Sequence, residues 1–102
     1  MTPTPQDPTL NRHVTLLKAL GHPSRLWIAL TLREGARCVT DLRAGLEQDQ
    51  STVSRHLLVL RNAGLVRIEK RKKHIYYHLC CANFQSFLDA LTQLKAKPRT
   101  GI

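Results

Sequence analysis

Apolar and polar positions alternate along the chain with two periods. From Leu10 to Leu20 the apolar residues Leu10, Val14 and Leu17 recur at helical spacing, and Gly21 follows. This predicts a first helix ended by glycine. Pro23 suits the first turn of a second helix over Pro23–Glu34, with Leu26, Ile28, Ala29, Leu30 and Leu32 largely inward and Gly35 at its end. Arg37–Val39 reads as a short extended link. Thr40 is positioned to cap a third helix, Asp41–Glu47, with Asp41 in its first turn. Gln48–Gln50 then turns into a fourth helix through Ala63, whose apolar positions Val53, Leu57 and Leu60 fall on one face. Gly64 stops it.

Beyond Gly64 the period shortens. Leu65–Lys70 and His74–Leu79 read as strands, with Ile68, Ile75, Tyr76 and Tyr77 supplying β-branched and aromatic residues. A last helix follows from Ala82 to about Lys95, with an apolar stripe of Phe84, Phe87, Leu88, Leu91 and Leu94. The order helix, helix, short strand, helix, helix, strand, strand, helix predicts a mainly α fold with a small β-wing, a winged helix-turn-helix. The expected layout is a disordered tail over 1–9, one domain over 10–96 and a frayed tail over 97–102.

Composition narrows the reading. At 102 residues and 42% hydrophobic content the chain holds one modest core. The formal charge is +9, from 16 Lys and Arg against 7 Asp and Glu. Five of those cations, Arg67, Lys70, Arg71, Lys72 and Lys73, flank the predicted hairpin turn. Clustered positive charge favours a polyanion. Beside it, the polar face of the fourth helix carries Gln50, Ser51, Thr52, Ser54, Arg55 and His56. Short donors and acceptors with a guanidinium are the groups that read base edges in a major groove. No apolar run approaches the ~18 residues that span a bilayer, and the N-terminus lacks the pattern of a signal peptide. Three cysteines argue against a secreted disulfide framework and for a reducing cytoplasm. No phosphate loop or nucleophile–base motif supports an enzyme. A winged helix that docks protein or RNA is the alternative from another class.

The segments LLKALGHPSRLWIALTL, VTDL, STVSRHLLVLRNAGLV and KHIYYHL, in this order, resemble the ArsR/SmtB family of bacterial transcriptional repressors. The likeness is close over Leu16–Leu79 and extends by pattern to the last helix. It implies a homodimer paired through the terminal helices, bound to a palindromic double-stranded DNA operator and released by an inducer. It places Gln50, Ser51, Thr52, Ser54, Arg55 and His56 on the nose of the recognition helix. Gln50, Ser51, Thr52 and Arg55 are expected on bases or nearby phosphates, and His56 on packing or a phosphate. Lys70, Arg71, Lys72 and Lys73 fall on the wing.

The inducer site departs from the family patterns. One arsenic-sensing subgroup carries Cys-Val-Cys-Asp-Leu before the third helix, with another cysteine one turn on. Here the stretch is Cys38-Val39-Thr40-Asp41-Leu42-Arg43, and one thiol remains. Zinc sensors use Asp and His on the last helix; this one has Asp89 and no histidine. The candidate ligands left are Cys38, Cys80 and Cys81, with His78 as a possible addition. A helix N-terminus stabilises a thiolate. Pairing of the Arg37–Val39 link with the His74–Leu79 strand would bring Cys38 toward Cys80 and Cys81. Both adjacent thiols face one site only if that strand ends near Leu79. Thiolates suit As(III), Sb(III) or another thiophilic ion. Thiol oxidation or persulfidation is the second reading, and no effector the third. No cofactor is expected for folding.

Overall fold

The computed structural model describes residues 3–94. The order is α1 (Pro8–Leu20), α2 (Pro23–Leu32), α3 (Val39–Leu46), α4 (Gln50–Asn62), β1 (Val66–Arg71), β2 (His74–Leu79) and α5 (Ala82–Gln93). The expected tail over 97–102 lies outside the described residues. The caps explain where the helices begin. Asp7 accepts the Thr9 N–H at 2.8 Å, with Pro8 in the first position, so α1 opens two residues before Leu10. His22 Nδ1 accepts the Ser24 N–H at 3.1 Å ahead of Pro23. At α4, Asp49 accepts the Thr52 N–H at 2.8 Å and the Ser51 hydroxyl at 3.2 Å.

The α4 exit satisfies the last carbonyls by a pair of reversed bonds. Leu65 N–H reaches the Leu60 carbonyl and Gly64 N–H the Arg61 carbonyl, both at 2.9 Å. This crossing requires a left-handed residue, and Gly64 supplies it at φ +80°. The chain leaves α4 aimed directly into β1.

Two expectations at α3 need correction. The helix starts at Val39 with Cys38 as its N-cap, so Thr40 lies inside it. Asp41 reaches back, its Oδ2 3.4 Å from the Cys38 N–H and 3.3 Å from its Sγ. The Arg37–Val39 strand is reduced to a single antiparallel bridge between Arg37 and Tyr77. The backbone cannot both continue a ladder through Cys38 and open a helix there.

The sheet is one antiparallel hairpin, registered from Val66 opposite Leu79 to Arg71 opposite His74, with Lys72 left-handed at its tip. Ile28, Leu42, Val53, Leu57, Leu60 and Leu88 are fully buried and join α2, α3, α4 and α5 in one core. The apolar stripes of the terminal helices divide. Ala19 and Leu20 of α1 and Phe84 and Leu88 of α5 turn inward, whereas Val14, Leu17 and Phe87 stay exposed. The Leu10, Val14, Leu17 face is therefore not the one that covers this chain's own core.

Candidate nucleic-acid interface and thiol pair

The α3–turn–α4 unit sets the nose of α4 outward. Burial of Val53, Leu57 and Leu60 fixes the helix rotation, and Gln50, Ser51 and Arg55 are left exposed, with Thr52 and Ser54 half-buried beside them. The close approach of α2 and α3 behind this unit depends on Gly45, whose missing side chain makes room for the Trp27 ring. His56 turns sideways: its ring lies 4.6 Å from that of His22. Burial first, then the positive surroundings of His22, Arg25 and Arg55, lowers the His56 pKa, which favours a neutral packing group. Asp49, which spacing alone did not single out, is the residue that orders the nose. Its hydrogen bonds from Thr52 and Ser51 hold its carboxyl below the ordinary range.

The wing carries Lys70, Arg71, Lys72 and Lys73, all exposed. They are not equivalent. Glu69 Oε1 accepts from Arg71 Nη2 at 2.8 Å and Nε at 2.9 Å, and the guanidinium lies 4.9 Å over the Tyr76 ring. The same oxygen sits 2.7 Å from His78 Nε2. Arg71 is thereby anchored, while Lys70, Lys72 and Lys73 have no ion-pair partner among the described residues. His78 faces Glu69 and is not a ligand beside Cys80.

The thiols separate into one pair and one single. β2 ends at Leu79, as a shared site requires, and Cys80 Sγ lies 3.4 Å from Cys81 Sγ. Cys38 does not join them. Arg37 pairs with Tyr77 antiparallel, so the chain runs away from the Cys80 end of β2 as it enters Cys38 and α3. Among the described residues no three His, Cys, Asp or Glu side chains gather as a metal site. The pair is electrostatically unequal. Burial and the neighbouring sulfur push the Cys80 thiol up to about 11. Cys81 caps α5, and hydrogen bonding from the Phe84 backbone, with the Cys80 thiol and Asn83 adding to it, lowers its pKa. Of the two, Cys81 is the more readily ionised and Cys80 the more firmly protonated.

The pair borders a groove of about 690 Å³ between α1, the end of α4 and the start of α5. Sequence periodicity gave no signal for this groove, because its walls come from three segments far apart in the chain.

A recognition helix seated by a helix-turn-helix and flanked by a basic hairpin defines a winged helix-turn-helix regulator of transcription, a DNA-binding protein and not an enzyme. Residues 22–67 match the model of the bacterial regulatory protein, arsR family. The biofilm growth-associated repressor of Agrobacterium fabrum is 38% identical over 87 residues, covering 85% of this chain and 74% of that one. The arsenical resistance operon repressor of Escherichia coli is 43% identical over 67 residues, covering 65% and 57%. Among solved structures, HlyU from Vibrio cholerae superimposes with a TM-score of 0.81 at 31% identity, covering 88% of this chain and 98% of that one. The chain belongs to the ArsR family of transcriptional regulators. No helix among the described residues is long and apolar enough to cross a membrane.

Proposed function

We propose that this chain is a homodimeric cytoplasmic repressor that holds a palindromic DNA operator and lets go when an effector binds Cys80 and Cys81. Gln50, Ser51, Thr52 and Arg55 approach bases and nearby phosphates in the major groove, with Ser54 and His56 seating the helix. Lys70, Lys72 and Lys73, with Arg71 anchored between them, follow the adjacent backbone. The observation that carries this reading is the exposed polar nose of α4 beside a basic wing, both fixed to one core. An anisotropy titration on DNA from the chain's own upstream region tests it. Arg55→Ala is expected to weaken operator binding by about 1–3 kcal/mol without loss of stability. Unchanged affinity would remove Arg55 from the interface.

For the effector, the paired thiols support a trivalent metalloid of the As(III) or Sb(III) class. The name of the Escherichia coli relative points the same way. Cys38 stands outside the site. Release from DNA by As(III), lost in Cys80→Ser or Cys81→Ser and kept in Cys38→Ser, is the expected result. Thiol oxidation is the second reading, favoured by the 3.4 Å separation and the low-pKa Cys81. Release by diamide alone, reversed by dithiothreitol, would establish it in place of the metalloid.

A further inference from the structure

We infer that Arg25 of α2, with Lys18 of α1 and Asn62 of α4, seats a backbone phosphate of the DNA, a contact separate from the nose and the wing. The inference rests on the DNA-binding reading above and extends its footprint to the back half of α4.

The state of Arg25 comes first. The residue is half-buried, and its Nε is shut off from solvent without a hydrogen-bond partner among the described residues. None of the ion pairs among those residues includes Arg25. A buried donor on a charged group is costly to leave unpaired, so the position calls for an acceptor that this chain does not supply. The surroundings select the charge of that acceptor. Arg25 lines a cleft of about 430 Å³ between α1, α2 and α4, with Thr15, Lys18, Val59 and Asn62 among the other walls and no acidic side chain there. Two cations, a hydroxyl and an amide are donors for an oxyanion, and a guanidinium matches the oxygens of a phosphate in pairs. Lys18 and Asn62 are exposed, so the cleft is open to a phosphate carried on a large body.

Position identifies that body. Asn62 follows Arg55 by seven residues, so it stands on nearly the same side of α4 and about 10 Å further along its axis. With 13 residues α4 is about 20 Å long, whereas a major groove is ~12 Å wide. A helix that enters nose first therefore leaves its back half over the sugar-phosphate backbone at the groove's edge. Arg25 approaches this helix from the side, near enough that its charge helps to lower the pKa of His56. The cleft also stands apart from the pairing of terminal helices. Thr15 and Ala19 lie two positions either side of Leu17, roughly 160° around α1 from it.

The test is fluorescence anisotropy of the full chain on operator DNA and on an unrelated duplex, over a salt series. Arg25→Gln is expected to weaken both by roughly tenfold at low salt, because a phosphate contact carries no sequence information. Its salt slope should be shallower by about 0.9, one phosphate's share. Lys18→Gln, at an exposed position that leaves the core intact, should shift both quantities in the same direction by less. Duplexes with single neutral methylphosphonates then locate the contact. One such linkage beside the groove is expected to weaken the parent and to leave Arg25→Gln unaffected. Parental affinity and slope in both variants, or methylphosphonates that cost Arg25→Gln as much as the parent at every position, would overturn the inference. Release by inorganic phosphate at fixed ionic strength, absent in Arg25→Gln, would overturn it too by giving the cleft to a free anion. A parent that binds no duplex defeats the DNA-binding reading itself, whereas one that depends on Arg55 and not on Arg25 or Lys18 defeats this inference alone.

Discussion

At the scale of single residues, local hydrogen bonds decide which groups are charged and which are ordered. Cys81 and Cys80 are neighbours in sequence, yet the α5 backbone stabilises one thiolate while burial opposes the other. Iodoacetamide is therefore expected to modify Cys81 first, with a pH midpoint below that of a free thiol. Cys80 should follow only in strong alkali, and peptide mapping across a pH series distinguishes them; simultaneous labelling would refute the asymmetry. Asp49 makes a second case. Its folded pKa is depressed by the Thr52 and Ser51 bonds, so its contribution to stability is present above the unfolded value. It is lost as the pH falls through the folded value, below the ordinary carboxylate range. Asp49→Ala is expected to melt earlier than the parent at neutral pH, with the gap closing in acid, whereas Asp49→Asn should retain most of the cap. A gap that persisted below the carboxylate range would mean that the cap bonds do not depend on the charge.

At the scale of elements, packing and register matter more than propensity. Gly45 lies in α3 where a Cβ would come within 2.6 Å of Trp27 Cζ2. Alanine there gains about 0.5–1 kcal/mol of helix propensity and meets an overpacking cost of about 1–3 kcal/mol. Gly45→Ala is thus expected to destabilise, and adding Trp27→Leu to recover part of the loss; a more stable single variant would show that Trp27 yields freely. On the wing, neutralising Lys70, Lys72 and Lys73 together should flatten the salt dependence of operator binding by about 0.9 for each phosphate left without its cation. Arg71→Gln should change it less, because Glu69 and Tyr76 already hold that guanidinium. A larger effect from Arg71 than from a lysine would show that the tether opens on DNA. The sequence made some of this legible. The inward face of α4 follows from the period of Val53, Leu57 and Leu60, and the wing from the change of period after Gly64. The cap of α3 was not legible, since Cys38 is no common N-cap and Thr40 is. Nor was the separation of Cys38 from the thiol pair, which depends on the bridge of Arg37 to Tyr77 and on its direction. Spacing along the chain carries no information about register.

At the scale of the whole molecule, the outward half of each terminal helix remains to be explained. Leu17 of α1 is 58% exposed and Phe87 of α5 is 44% exposed, and both border the same groove. A small core gains from covering such residues, and an isologous pairing covers both copies at once. Such a two-fold dimer would present two α4 noses about one DNA turn apart, ~34–36 Å. Two outcomes check the arrangement separately. Leu17→Glu with Phe87→Glu is expected to sediment as a folded monomer and to bind a single half-site weakly. Persistence of the dimer would place the interface elsewhere. Inserting about five base pairs between the half-sites rotates one by half a turn, because B-DNA repeats every ~10–10.5 base pairs. The parent is expected to lose tight binding to that operator and to regain it when about ten are inserted only if the linkage between subunits can stretch. A rigid pairing through α1 and α5 predicts no recovery, since the noses are fixed in separation as well as in phase. Tight binding at both insertions would mean that the two subunits read their half-sites independently.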